Sequence, residues 1–420
     1  MRQAVAHKRI EAKLFVLRWY DPGFRHKRNR LLPHIHYRTI LRDLINEDDR
    51  MTVNCFCVII AGGKGTRFWP LSRARRPKQL LKIIGRKTLI EATAERIYPL
   101  SSRHRTLVVT LADQVRALQR ALSDLPKSNF IAEPQGKNTA PCIGLAALEI
   151  IRRNPDAVMI VLPADHWIND GPAFRRTLKT AVALAQSQDR LITIGIRPGY
   201  PETGYGYIMK GSALPAKKSS AAFLVKRFSE KPTLAVARRL IRQGCLWNSG
   251  IFVWKASTLL NLLARYQPAI TTGLETIRHA ASGKSLATPG PKLRAIIARE
   301  YQKMPSVSID YAVMEKAGSE GKVLTVEADF GWSDVGSWSA VHRMLPKDRH
   351  GNSSQGRWLG RGAQNCLIHA PDRLVVLLGI KNAVVVDTPD ALLVGDLDHS
   401  QEVRELVDEL HRQGLGSYTV

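Results

Sequence analysis

At 420 residues, 44% of them hydrophobic and 24% charged, the chain has the composition of a globular protein with core enough for two or three domains. No run approaches the roughly 18 consecutive apolar residues of a membrane span, and the five scattered cysteines contain no C-x-x-C pair. They therefore point to neither a disulfide framework nor a zinc site, and they fit a reducing cytosol. The formal charge of +27 calls for an anionic partner such as nucleic acid, an acidic membrane or a phosphorylated small molecule. No aromatic-basic module or helix-turn-helix pattern accompanies that charge, which argues against nucleic acid.

Residues 1–50 are rich in Arg, Lys and His, carry Glu47, Asp48 and Asp49, and keep the period of neither helix nor strand. Their one apolar cluster, at Leu14, Phe15 and Val16, is too short for a secretory signal. A dispensable or poorly ordered basic extension is expected here, with the first domain opening at Met51. Cys55 and Cys57 stand two apart in an apolar strand-like run and read as buried thiols on one face.

Residues 58–82 (VIIAGGKGTRFWPLSRARRPKQLLK) join an apolar run to Gly62, Gly63 and Gly65, then to Arg67, Arg73, Arg75, Arg76 and Lys78. Glycines let successive backbone N–H groups approach phosphate oxygens, and the cations neutralise the remaining charge. The Walker pattern is excluded because Lys64 precedes Gly65. The dinucleotide fingerprint is excluded because Phe68 stands at the third glycine.

Strand-like runs at 58–61, 106–111, 158–163 and 191–196 alternate with helical segments, one opened by the capping box of Thr88 and Glu91. The alternation predicts an α/β domain over residues 51–345 with a largely parallel sheet and ligands beyond its strands' carboxyl ends. Asp165 follows the run 158–163, where a carboxylate could hold magnesium or cap a turn. His166 beside it reads as a core or capping histidine.

Polar loops follow. EPQGKNTAP (133–141) offers groups suited to a base edge, and ETGYGY (202–207) offers close backbone approach beside aromatics. FSEKP (228–232) sets Glu230 beside Lys231, WNSGIF (247–252) puts Asn248 at a strand entrance, and DFGWSDVGSW (329–338) supplies Asp334. Each alone is equally compatible with a turn or an adjacent salt bridge.

Residues 346–356 (PKDRHGNSSQG) read as a linker into a small β-rich module over residues 346–420, with short strands at 366–368, 374–380, 383–386 and 391–394. Val403, Leu406, Val407 and Leu410 at helical spacing predict a last helix, stopped by Gly414. The module is expected to pack, or to pair two copies of the chain as a homodimer, rather than to catalyse.

Taken together, GGKGTRFWPLSR with PKQ, EPQGKNTAP, ADHW, ETGYGYI, FSEKP, WNSGIF and GWSDVGSW closely resemble the mannose-1-phosphate guanylyltransferases. The resemblance runs from about residue 57 to about residue 338 and continues more faintly to the C-terminus. It implies a Rossmann-like, glycosyltransferase-A-like nucleotidyltransferase domain with a mixed, largely parallel sheet, then a left-handed β-helix-like domain ending in a helix. It also implies a cytoplasmic, Mg2+-dependent enzyme of GDP-mannose and polysaccharide biosynthesis that joins GTP to mannose 1-phosphate.

By resemblance, Ala61, Gly62, Gly63, Gly65, Thr66 and Arg67 hold the triphosphate, Lys78 neutralises charge at the reacting phosphates, and Asp165 and Asp334 carry the metal. Glu230, Lys231 and Asn248 would bind mannose 1-phosphate, with Gly204 and Tyr205 along the sugar and Asn138 and Thr139 near guanine. Lys137 stands where the family usually has arginine, and the family's GDV is absent around residues 358–362. No cupin-type domain follows, so isomerase activity is not expected. The alternatives are a transferase of other nucleotide or hexose specificity and a silent GDP-mannose-binding regulator; Arg67, Lys78, Asp165 and Asp334 argue against the latter.

Overall fold

The computed structural model describes residues 54–63, 65–215 and 222–420. The expected basic extension at 1–50 lies outside the described residues, as does Lys64. Along β1 (Cys55–Ala61), Cys55, Cys57, Ile59 and Ala61 enter one hydrophobic core while Phe56 and Val58 enter another. A strand apolar on both faces must be covered on both. Helices Leu89–Ile97, Gly171–Ser187 and Leu234–Arg242 close the first core, and Thr139–Arg153, Ala256–Tyr266, Pro268–Ala281 and Pro291–Lys303 close the second. The capping box forms: Thr88 N donates to Glu91 Oε2 at 2.7 Å, and Glu91 N to Thr88 Oγ1 at 3.3 Å.

The other strands of this part are β2 (Thr106–Leu111), β3 (Phe130–Glu133), β4 (Val158–Pro163), β5 (Trp167–Ile168), β6 (Leu191–Ile196), β7 (Gly206–Ala213), β8 (Ala222–Glu230), β9 (Leu246–Lys255), β10 (Val323–Ala328) and β11 (Trp332–Ser333). Eight of them join β1 in a nine-stranded sheet in the order β3-β2-β1-β4-β9-β6-β10-β8-β7. The pairs β3–β2, β2–β1, β1–β4 and β6–β10 are parallel, with β9 inserted antiparallel between β4 and β6. Antiparallel β8 and β7 extend the edge and fold back, so that β7 also pairs with β9.

Register positions the site. Ile60 pairs with Pro163, Ala61 with Thr110 and Leu111 with Glu133, so the residues after β1, β2, β3 and β4 emerge along one edge. The short ladder of β5 and β11 pairs Trp167 with Ser333, and one further antiparallel step sets Asp334 opposite His166.

The C-terminal part has β12 (Ser353–Arg361), β13 (Leu367–Leu378), β14 (Ala383–Asp387) and β15 (Leu392–Asp396), parallel except for the last pair, followed by helix Val403–Arg412. Two expectations are corrected. The linker 346–356 already enters β12 at Ser353: its polar Gln355 donates from Nε2 to Ile83 O at 2.8 Å and pairs through Oε1 with His369 Nδ1 at 2.7 Å. Such residues read as solvated until their partners are known. The runs 366–368 and 374–380 fall largely within one strand, β13, whose pairing with β12 shifts register after Gly356, where φ is 123° and a Cβ would collide with the Ala370 carbonyl.

On the last helix Val403 and Val407 are buried while Leu406 is exposed, and Gly414 follows at φ 75°. One core joins Phe68, Leu81 and Ile83 to Leu367, Val384, Val386, Leu393 and Val403, so the C-terminal strands and helix pack against the glycine-arginine segment. Among the described residues no helix is long and apolar enough to cross a membrane.

Candidate active site

The loop after β1 is built around close approach. Gly65 has φ 67°, and a Cβ there would run into Lys78 Cβ and lie 2.9 Å from its amide nitrogen. Lys78 is 8% exposed, with its ammonium 5.5 Å from the Phe68 ring centroid. Its Nζ lies 2.8 Å from Asp165 Oδ2 and donates to the Asp334 carbonyl at 2.7 Å. Gln79 ties the neighbouring backbone down, donating from Nε2 to Ala61 O at 3.3 Å and to Gln114 Oε1 at 2.9 Å. Gly65→Ala is expected to cost about 1–3 kcal/mol in backbone strain and, by displacing Lys78, to cut turnover roughly 100-fold. Thermal unfolding and steady-state rates measured on the same preparation check both numbers.

Two cavities meet at Asp165, His166 and Asp334. The first, of about 500 Å³, is lined by Gly62, Gly63, Glu133, Asn138, Thr139, Gly204, Tyr205, Glu230, Asn248 and Asp310 among others. The second, of about 830 Å³, is lined by Gly65, Thr66, Arg67 and Lys78 on one side and by the C-terminal helix and tail on the other. Thus ten predicted site residues face the first cavity (the two aspartates included) and four face only the second. Ala61 is buried behind the loop, its carbonyl taken by Gln79 and Thr110. Lys231 lines neither: it sits at φ 44°, largely exposed, with Nζ 2.9 Å from Glu230 Oε1.

Some predicted groups are already engaged. Asn138, at φ 63°, accepts from Thr139 N through Oδ1 at 2.9 Å, and Thr139 opens a helix while its hydroxyl accepts from Ile309 N at 2.8 Å. Lys137 donates to the Gln302 carbonyl at 2.9 Å. Asn248 lies within β9 rather than before it, accepting from Thr193 Oγ1 at 3.1 Å and donating to Asp310 Oδ1 at 2.7 Å. The Tyr205 hydroxyl donates to Asp334 Oδ1 at 2.7 Å, leaving Oδ2 without a hydrogen-bond partner among the described residues.

Burial pushes the Asp165 carboxyl upward, but the Lys78 ammonium, through its charge and its hydrogen bond, outweighs that and holds it below its ordinary value. Burial lowers His166 to about 4 despite the nearby aspartates, and its Nδ1 accepts from Trp332 Nε1 at 3.1 Å. A neutral, oriented imidazole results.

Sequence reasoning missed two carboxylates. Glu133, 3% exposed at the end of β3, is pushed up to about 7 by burial while Tyr301 donates to Oε2 at 2.6 Å. Asp310, on a short π-helical turn, is raised to about 6 by burial against the Asn248 hydrogen bond. Glu133 stands in the polar motif at 133–141 and its strand-end position was a usable signal; Asp310 carried none, since nothing local marks its contact with Asn248.

Asp165 and Asp334 are suited to a magnesium ion, which commonly binds through one or two carboxylates plus substrate phosphates. Among the described residues no cluster of three or more His, Cys, Asp or Glu forms an all-protein metal cage.

Residues 56–351 match the family model described as nucleotidyl transferase, and residues 356–410 match the MannoseP isomerase/GMP-like beta-helix domain. A mannose-1-phosphate guanylyltransferase of Klebsiella pneumoniae is 38% identical over 371 residues, covering 86% of this chain and 75% of its own length. Xanthan biosynthesis protein XanB of Xanthomonas campestris pv. campestris (strain B100) is 39% identical over 369 residues, covering 86% and 74%. A crystal structure described as that of a mannose-1-phosphate geranyltransferase from Thermus thermophilus superposes with a TM-score of 0.75 at 35% identity, covering 86% of this chain and 100% of that one. With the nucleotidyl transferase model spanning most of the chain, and with relatives of this identity and coverage, the chain belongs to the mannose-1-phosphate guanylyltransferase family of nucleotidyltransferase enzymes.

Proposed function

We propose that this enzyme transfers GMP from GTP to mannose 1-phosphate, giving GDP-mannose and pyrophosphate. The observation that carries the reading is the meeting of two cavities at Asp165 and Asp334, with the Lys78 ammonium between a carboxylate and a carbonyl at that junction. A phosphate oxygen of the sugar attacks the α-phosphorus; the new P–O bond forms as the bond to the bridging β-phosphate oxygen breaks, and pyrophosphate leaves with that electron pair.

The attacking phosphate monoester is already largely dianionic near neutral pH, its second ionisation falling at about 6, so no general base is required. The barrier lies in bringing anions together, and positioning plus charge neutralisation lowers it. Lys78 and Arg67 neutralise phosphate charge, while the backbone of Gly62, Gly63, Gly65 and Thr66 supplies N–H donors. Asp165 and Asp334 would hold Mg2+, which supplies further charge neutralisation at phosphate oxygens. Glu230, Asn248, Gly204 and Tyr205 line the sugar-phosphate end, with Asp310 fixing the Asn248 amide. Lys231 reaches this end through its ion pair with Glu230. The buried free thiols support a reducing, cytosolic setting.

The test is pyrophosphate release on adding mannose 1-phosphate to enzyme and GTP, repeated with ATP, UTP and dTTP and with other hexose 1-phosphates. A second nucleotide or sugar used better than this pair overturns the reading.

Glu133 is assigned to base choice beside Asn138 and Thr139. Guanine presents N–H donors at N1 and at its 2-amino group, which a carboxylate accepts, whereas adenine presents an acceptor at N1. Glu133→Gln is expected to reduce the preference for GTP over ATP by about 100-fold, because an unmatched buried polar contact is costly. Since guanine needs the ionised carboxylate, and burial raises that group to about 7, the KM for GTP should rise as pH falls below 7. The Gln variant should lack that rise; an identical pH profile in both proteins removes Glu133 from the base site.

A further inference from the structure

We propose that Arg404, on the C-terminal helix, is a binding residue for the pyrophosphate end of the nucleotide, reaching it from the wall of the second cavity opposite the Arg67 loop; this rests on the reaction proposed above. In an in-line displacement the attacking and leaving oxygens lie on opposite sides of the α-phosphorus. The sugar-phosphate residues Glu230, Asn248 and Tyr205 line the first cavity, and Asp165 and Asp334 stand where the cavities join. A leaving group opposite the sugar phosphate is therefore directed into the second cavity.

The charges around that cavity support the assignment. Lys78 is paired with Asp165, Arg73 Nη2 donates to both Asp390 carboxylate oxygens at 2.9 and 3.1 Å, and His411 Nε2 bonds Thr419 Oγ1 at 3.0 Å. Arg67 on the loop wall and Arg404 on the helix wall have no ion-pair partner among the described residues. Two free guanidiniums on opposing walls suit a pyrophosphate, whose oxygens take paired N–H donors. Asp408, one helical turn beyond Arg404, also faces the cavity and opposes this charge.

The helix wall is fixed in place. Trp69 Nε1 donates to Tyr418 O at 2.9 Å, Ala74 N to Thr419 O at 2.9 Å, and Val403 and Val407 are buried. The C-terminal module thus completes the substrate site from a part of the chain where the sequence indicated packing or the pairing of two copies.

The experiment measures Mg2+-pyrophosphate binding by calorimetry and the reverse reaction, pyrophosphate plus GDP-mannose, for wild type, Arg404→Ala, Arg404→Lys and Asp408→Asn. Arg404→Ala is expected to weaken pyrophosphate binding and raise its KM about 10- to 100-fold, the value of a charge-assisted hydrogen bond, with the KM for GDP-mannose within about twofold of wild type. Arg404→Lys should recover part of the loss, and Asp408→Asn should tighten pyrophosphate. An Arg404→Ala protein that binds pyrophosphate as wild type does, or loses both substrates equally, overturns the proposal. Wild-type enzyme that binds pyrophosphate yet makes no GTP overturns the reaction reading instead, and calorimetry on the variants still decides the role of Arg404.

Discussion

Lys78→Ala is expected to lower kcat by about 1,000-fold, the scale of losing one preorganised charge at a developing oxyanion. The side chain is nearly buried, and its ammonium is held by Asp165 Oδ2 and the Asp334 carbonyl at the junction of the two cavities. It is therefore in place before substrate arrives and requires no reorganisation. Removing it also leaves Asp165 with a lost partner, so a stability loss of about 1–3 kcal/mol should accompany the variant. Lys78→Met separates the effects: its unbranched side chain keeps the packing over Phe68 while deleting the charge. Both variants should show the same loss of kcat, and circular dichroism melts should show both folded at assay temperature. A methionine variant retaining a tenth of wild-type turnover would falsify the catalytic role.

Loss of either junction carboxylate should be comparably severe, with a different signature. Asp334→Asn keeps an oxygen to accept from Tyr205 and so preserves the contact with the aromatic cluster of Tyr205, Trp247 and Trp332. What disappears is charge. The expected result is a kcat lower by about 100- to 1,000-fold, with half-saturating magnesium shifted upward at least about tenfold. Asp165→Ala should do the same and in addition release Lys78 from its ion pair. Initial rates across a magnesium titration measure both effects. If neither variant changes the magnesium response, the cation is held by other groups.

Much of the fold was legible because its signals are local. Both faces of β1 are apolar, which announces a covered central strand; the runs at 106–111, 158–163 and 191–196 coincide with β2, β4 and β6; and Thr88 with Glu91 marked a helix start that the hydrogen bonds realise. The C-terminal module was less legible. Gln355 and His369 look like solvent-facing linker and strand residues until they bond each other, and a strand running through Pro371 contradicts the usual reading of proline as a break.

The site divides in the same way. Asp165 and Gly62 were visible because each follows an apolar run, and the carboxyl edge of a parallel sheet gathers such residues. Glu133 and Asp310 were passed over because a buried carboxylate is marked by its burial and its partners, Tyr301 and Asn248, which come from distant segments.

What the sequence determined by itself is the chemistry at hand: a glycine loop shaped for phosphate, a run of cations and carboxylates at strand ends, each specified by residue type within a few positions. Only the tertiary structure decided how these meet. The two-residue ladder of β5 and β11 brings Asp334 to Asp165, the positive φ of Gly65 seats Lys78 between them, and the C-terminal helix closes the second cavity with Arg404. Those placements depend on register and packing between segments that the chain separates, from the near pair Gly65 and Lys78 to the distant Arg67 and Arg404, and no local pattern encodes them.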